Sequence, residues 1–192
     1  VLDDSPMLQS HIDGRLTYAV EKELENQILF GTGTDSELLG IMSTPGVVNL
    51  GAPSGTDTAI DHIRKAIAQV RLSEYQATGI ILNPTDWANL ELQKGDDGHY
   101  IWVSVTDGGQ QRLWRVPVIE TTAMEEGRFL VGAFGLGAQL WDRMQSTIRI
   151  SESHSDYFVK NVNTVLGEVR AALTVYRPQA FCKGTLNDTL ST

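Results

Sequence analysis

Cysteine is almost absent from this chain, and positive charge is in deficit. Cys182 is the only cysteine among 192 residues, so no disulfide can form within the chain, which fits a reducing compartment. Lysine and arginine number 15 against 24 acidic residues, giving a formal net charge of −9. Because phosphate backbones attract clustered positive side chains, this balance argues against direct DNA binding. An acidic surface instead keeps copies of the chain apart until complementary patches meet.

Long apolar runs are missing as well. No segment approaches the roughly 20 apolar residues of a membrane-spanning helix, and no signal peptide opens the chain. The first residue is Val1 and not methionine, so we expect a processed or truncated product. The composition, 41% apolar and 20% charged, is that of a globular protein with room for one ordinary domain or two small ones.

Motifs that carry chemistry are also scarce. Residues 31–36 are rich in glycine, but they close a predicted helix, so a helix-ending turn is a better interpretation than a phosphate loop. The histidines are isolated from one another and from Cys182, so the spacing of a metal site is absent. No Gly-x-Ser-x-Gly elbow exists, and no carboxylate pair stands out. We therefore predict no cofactor, no metal site and no enzyme. The histidines are His11, His62, His99 and His154.

What the sequence does contain begins with a long amphipathic helix. Asp4 or Ser5 can cap it, Pro6 suits its first turn, and the pattern continues to Phe30. Apolar side chains recur every three or four residues, which predicts a helix of about six or seven turns with one apolar stripe. The stripe consists of Leu8, Ile12, Leu16, Ala19, Val20, Leu24 and Ile28.

The middle of the chain predicts an α/β unit. Residues 40–57 are rich in Gly, Pro, Ser and Thr, which indicates a connection with one short strand, and a second helix begins at Asp57. Residues 79–82 are typical of a buried strand, and Asn83-Pro84 then caps a short helix. Further strands are predicted at residues 100–105, 113–119, 129–131 and 147–151.

Two features of the sequence leave alternatives open. Residues 164–176 permit a helix, but their β-branched and aromatic side chains favour a long strand, which we choose. The four tryptophans are spread over predicted helices and strands, so we interpret them as core or subunit-contact residues and not as a sugar platform. They are Trp87, Trp102, Trp114 and Trp141.

Three segments together point to a family. The first runs from Ser5 through the long helix to Leu29, and the second covers residues 79–87. The third is a closing block without any catalytic motif, made of residues 139–144, 156–161, 173–178 and 183–185. In this order they resemble the major capsid proteins of tailed bacteriophages, the Hong Kong phage fold, over nearly the whole chain.

The resemblance implies an α+β fold with a long spine helix, a peripheral domain of long strands and an α/β axial domain. It assigns residues 1–40 and 138–192 to the peripheral domain and residues 41–137 to the axial domain. Family members also carry an N-terminal arm and an extended loop before the spine helix, and this chain begins at the spine helix.

The implied function is structural. The chain would be a subunit of an icosahedral phage or prophage shell, assembling with other copies into hexamers and pentamers, with a scaffolding segment or protease and a portal as further partners. It would lie in the virion, and in the host cytoplasm during assembly, without binding a membrane or a specific nucleic-acid sequence. The alternative is a small α/β ligand-binding or hydrolase domain, which a large pocket with convergent polar groups would support.

One chemical possibility comes with the resemblance. Some family members lock their shells by a self-catalysed Lys–Asn isopeptide bond between subunits. By position in the closing block, Asn161 corresponds to the asparagine and Glu168 to a glutamate that takes protons from the lysine. The lysine would lie in the extended loop, outside this chain. The alternative is that Asn161 is a turn residue and Glu168 a solvated or salt-bridged strand residue.

Overall fold

The computed structural model describes residues 6–55, 57–93, 111–151, 160 and 164–186, without the side chains of Pro6, Leu8 and Gln9. The predicted helix cap at Asp4 or Ser5 and the predicted strand at residues 100–105 lie outside these residues. The helices are α1 (Pro6–Phe30), α2 (Ala59–Leu72), α3 (Pro84–Glu91), α4 (Phe134–Gly137) and the 3-10 turn Pro178–Ala180. The strands are β1 (Val48–Asn49), β2 (Gly79–Leu82), β3 (Arg112–Leu113), β4 (Val116–Glu120), β5 (Arg128–Gly132), β6 (Ala138–Ser151), β7 (Thr164–Val175) and β8 (Phe181–Thr185).

Helix α1 confirms the predicted long helix. Its 25 residues span about 37 Å at roughly 1.5 Å per residue. The chain then doubles back over the end of the helix, where the amides of Ile41 and Met42 donate to the carbonyls of Ile28 and Leu29. Gly40 is required for this close approach, since a Cβ there would lie 2.6 Å from the Leu29 carbonyl oxygen. The glycine-rich segment is therefore a helix-ending turn, as predicted.

Among the described residues, the larger sheet has six strands, in the order β1-β8-β5-β2-β4-β3. The pairs β1–β8 and β2–β4 are parallel, and the other pairs are antiparallel. The predicted strands at residues 79–82 and 129–131 are confirmed as β2 and β5. The short strand predicted in the connection after residue 40 is β1.

The single strand predicted at residues 113–119 is wrong. Leu113 pairs with Val116, so β3 and β4 form a hairpin that turns at Trp114 and Arg115. Both turn residues have a positive φ, 51° and 70°, a conformation that two-residue hairpin turns need and that Asn-Gly adopts most easily. The sequence carries no glycine here, so nothing signalled the turn.

Each face of this sheet covers its own apolar core. On one face α2 and α3 pack Ile63, Ala66, Val70 and Trp87 against the sheet. On the other face, the end of α1 and the following residues bring Leu29, Ile41 and Met42 against Leu130 and Phe181. Helix α2 begins at Ala59, two residues later than the predicted Asp57, because Thr58 and Asp61 form a reciprocal capping box.

The smaller sheet, as far as the chain is described, is a two-stranded antiparallel ribbon of β6 and β7. The strand chosen for residues 164–176 is confirmed as β7, and the strand predicted at residues 147–151 is only the end of the 14-residue β6. Irregularities in register after Asp142 and Met144 hide the alternation that would have predicted the rest of β6. Helix α1 lies across one face, where a Cβ on Gly167 would come within 2.9 Å of Val20 Cγ2.

Strand β8 links the end of the chain to the larger sheet. It pairs with β5 over five residues and with the short β1 in parallel. Residues 181–185 belong to the segment that the resemblance assigned to the peripheral domain, yet they lie in the sheet built mainly by the segment assigned to the axial domain.

Candidate assembly surfaces

The outer face of the β6–β7 ribbon is an exposed surface with apolar patches. Gly167 faces α1, so the alternation of side chains along β7 places Leu166 and Glu168 on the opposite face. Trp141 pairs with Ala172 and shares that face. Leu166 and Trp141 are each 52% exposed. Neither strand contains a fully buried residue, so the ribbon contributes surface more than core.

Glu168, one of the two predicted cross-linking residues, is held in an ion pair on this face. Arg149 Nη2 lies 3.3 Å from Glu168 Oε1, and the Glu168 side chain is 23% exposed. Asn161 lies outside the described residues. Glu168 is therefore a salt-bridged strand residue, which is the alternative that the sequence left open.

Helix α1 is tied to both sheets by hydrogen bonds to glutamates one turn apart. Ser146 Oγ in β6 donates to Glu21 Oε1 at 3.2 Å, and Thr121 Oγ1, beside the larger sheet, donates to Glu25 Oε1 at 2.6 Å. Below these contacts, the ring of Phe181 is fully buried over Gly132 and Gly137, where no Cβ could fit. Packing at this point fixes the end of α1 relative to the larger sheet.

The tryptophans divide between core and surface. Trp87 is 8% exposed and belongs to the core under α2 and α3. Trp114 and Trp141 are 45% and 52% exposed. Trp102 lies outside the described residues. A core role is confirmed for Trp87, and subunit contact by Trp114 and Trp141 remains a prediction.

The histidines and the cysteine that were singled out in the sequence lie in different environments. His62 is buried, its Nε2 lies 3.2 Å from the Gly51 carbonyl oxygen, and its ring meets Phe129 edge-on. Burial raises the pKa of the Cys182 thiol to about 12. His11 is exposed on α1, and His99 and His154 lie outside the described residues. Where the structure is described, no three His, Cys, Asp or Glu side chains are grouped to hold a metal ion.

Two open grooves were found among the described residues. One, of about 600 Å³, is lined by Glu74, Tyr75, Tyr176 and Arg177 among others. The other, of about 470 Å³, lies between α1 and residues 122–125. Neither groove is lined by histidine or cysteine. None of the described helices is both long and apolar enough to span a bilayer.

Comparison with known proteins agrees with this architecture. Residues 1–186 match the phage capsid family. The major capsid protein of Enterobacteria phage HK97 is 42% identical over 187 residues, which cover 97% of this chain and 49% of the relative. The chain thus spans about half the length of the curated relative it matches.

Solved structures share the fold at low identity. A protein of Microbacterium phage Oxtober96 superposes with a TM-score of 0.77 at 13% identity, covering 97% of this chain and 68% of that one. The capsid of an empty GTA particle gives 0.73 at 18% identity, covering 96% and 68%. With the family match over residues 1–186 and 42% identity to a phage major capsid protein, the chain belongs to the phage capsid family.

Proposed function

We propose that this chain is the shell-forming part of a phage or prophage major capsid protein, which assembles with copies of itself into hexamers, pentamers and an icosahedral shell. The observation that carries the proposal is the 42% identity to the HK97 major capsid protein over 97% of the chain. The surfaces support it, because apolar side chains remain exposed along the ribbon, as expected of residues that a neighbouring copy covers. They include Leu140, Trp141, Ile150 and Leu166.

The same proposal divides the chain between two domains. Helix α1 and the β6–β7 ribbon would form the peripheral domain, near the predicted segments 1–40 and 138–192. The six-stranded sheet with α2 and α3 would form the axial domain around the symmetry axis of a capsomer. The pairing of β8 with β1 and β5 supports assigning residues 181–185 to the axial domain, although the resemblance placed them in the peripheral one.

Electron microscopy tests the proposal directly. Because the chain spans 49% of its relative, the protein should be expressed from its complete natural reading frame. Negative-stain images should show shells or free capsomers, and sedimentation should separate them from monomer. A complete protein that stays strictly monomeric under all assembly conditions and binds a small ligand tightly would refute the proposal in favour of the ligand-binding alternative.

Location and further partners follow from the same proposal. The chain would lie in the virion, and in the cytoplasm of the bacterial host while shells assemble. A scaffolding segment or protease and a portal would be its other partners. Co-purification of shells with these components from infected or induced cells tests this part, and shells that assemble normally without any of them would contradict it.

We also propose, on the resemblance alone, that Asn161 and Glu168 take part in a Lys–Asn cross-link between subunits. The lysine amine would attack the Asn161 amide carbonyl, Glu168 would accept the amine proton, and ammonia would leave as the isopeptide bond forms. On a denaturing gel, mature particles should then run as linked oligomers, and a Glu168→Gln variant should run as monomers. Monomers from mature wild-type particles would exclude the cross-link without affecting the structural proposal.

A further inference from the structure

A cluster of exposed basic and aromatic side chains lies at one edge of the six-stranded sheet. Among the described strands, β3 is the last at that edge, and its hairpin with β4 turns at Trp114 and Arg115. Arg64, on α2, holds its guanidinium carbon 5.6 Å from the centre of the Trp114 ring, in the range of a cation–π contact. All three side chains are exposed, and Trp114 is 45% exposed. We call these three residues the arginine corner.

The backbone of the arginine corner favours different residues from those present. Trp114 and Arg115 have φ values of 51° and 70°, in the left-handed region where Asn-Gly is the preferred pair. A turn that only reversed the chain would be more stable with that pair. The sequence instead places a large aromatic ring and a cation at the tip of the turn. We infer that these two residues are kept for their side chains and not for the backbone conformation.

The charge of the arginine corner is opposite to that of the chain. The chain carries a net −9, yet the corner holds two arginines. Among the described residues, neither Arg64 nor Arg115 has a carboxylate within ion-pair distance. Arginine and tryptophan are the residues most enriched at the energetic centres of protein interfaces. A surface with excess carboxylates is the complementary partner, and a second copy of this chain carries 24 acidic residues against 15 lysines and arginines.

We propose that the arginine corner is one side of the contact between neighbouring subunits of a capsomer, where it binds a carboxylate-bearing surface of the next copy. This inference rests on the proposed capsid function. Two corners would repel each other, so the contact joins different surfaces of the two copies. Contacts of that head-to-tail kind close into rings, as hexamers and pentamers require, whereas a contact of one patch with itself gives a two-fold dimer.

Charge reversal in the complete protein tests the proposal. We expect Arg64→Glu with Arg115→Glu to raise the protein concentration at which capsomers form at least ~10-fold, as measured by sedimentation at low salt. Arg71→Glu is the matched control, because Arg71 is an exposed arginine two turns further along α2, and it should assemble as the wild type does. Circular dichroism and thermal unfolding show whether the variants are folded. If the reversed pair does not fold, Arg64→Gln with Arg115→Gln should still raise that concentration.

Two further variants address the role of the ring. Trp114→Ala removes the surface over which Arg64 lies and should weaken capsomer formation, while Trp114→Phe keeps an aromatic face and should weaken it less. Equal assembly by Trp114→Ala and the wild type would contradict the part of the proposal that concerns the ring.

The outcomes separate this inference from the proposed function. If the wild type forms capsomers and the folded double variant forms them at the same concentration, the arginine corner is not a subunit contact and the capsid function stands. If the wild type forms none, both proposals fail. If the double variant assembles normally but loses retention on duplex DNA that the wild type shows, the corner is a nucleic-acid contact and our proposal is overturned.

Discussion

The six-stranded sheet and the β6–β7 ribbon differ in how far they bury their apolar side chains. In the six-stranded sheet, Phe129, Leu130 and Val131 are 0% exposed, because helices or loops cover both faces. In the ribbon, α1 covers one face only, and Trp141 and Leu166 stay half-exposed on the other. The first region closes its own core, and the second offers a surface.

The difference shows which region depends on its neighbours. A two-stranded ribbon is marginally stable alone, since it has few partners for its side chains. The ribbon here relies on α1, and α1 in turn is anchored by its last turn, where Leu29 enters the core under the larger sheet. Changes in the larger sheet should therefore affect the stability of the chain most, and changes in the ribbon should affect assembly more than stability.

The largest loss of stability is expected from Phe181→Ala. The Phe181 side chain is fully buried between the larger sheet and the end of α1, so truncation removes apolar contacts and leaves a cavity. We expect the free energy of unfolding to fall by about 3–5 kcal/mol, measured by urea denaturation. Leu136→Ala is the control, because Leu136 is 73% exposed and should change little. If the two substitutions had equal effects, the Phe181 ring would not be part of the apolar core that stabilises the fold.

Gly40→Ala should rank second. A Cβ at residue 40 would lie 2.6 Å from the Gly31 amide nitrogen and from the Leu29 carbonyl oxygen, so the backbone must shift where α1 meets the larger sheet. We expect a loss of about 1–3 kcal/mol in unfolding free energy. Gly135→Ala, where a Cβ meets nothing within 4 Å, is the matched control. If Gly40→Ala were as stable as this control, the junction would not be the anchor of α1.

Two further glycines, one in α1 and one in the ribbon, should respond to alanine with opposite signs. Gly14 lies inside α1, and a Cβ there would have no neighbouring atom within 4 Å, so Gly14→Ala should stabilise the protein by about 0.5–1 kcal/mol. Gly167→Ala should destabilise it, because its Cβ would come within 2.9 Å of Val20 Cγ2. Thermal unfolding of the two variants measures both effects. A loss of stability in Gly14→Ala would mean that a neighbouring group already occupies that site.

A pH dependence at the start of α2 should be weaker than all of these effects. Hydrogen bonds from the Thr58 hydroxyl and then from its amide hold the pKa of Asp61 below its ordinary value. A carboxyl group with a lowered pKa in the folded state stabilises the fold above its unfolded pKa, and that stabilisation is lost as the pH falls through the folded pKa. Thr58→Ala should therefore lower the urea midpoint at pH 7 and less so near about pH 3. An equal loss at both pH values would contradict this origin.

Much of the fold was predictable because it depends on local patterns. The stripe of apolar residues predicted α1, and the Asn83-Pro84 pair predicted the start of α3. The hairpin of β3 and β4 was missed, because Trp114 and Arg115 give no turn signal. Most of β6 was missed as well, because its irregular register disrupts the alternation of side chains.

The amino-acid sequence was enough to identify the family, since the ordered segments from Ser5 to Thr185 carry a resemblance that the 42% identity to a phage capsid protein confirms. The sequence was also enough to predict the long helix, because helical periodicity is a property of residues close together in the chain. The folded chain was needed to show that β8 joins the larger sheet, that Glu168 pairs with Arg149, and that Arg64 lies over Trp114. Each of these contacts joins residues far apart in sequence or depends on which face a strand presents, and local patterns do not encode either.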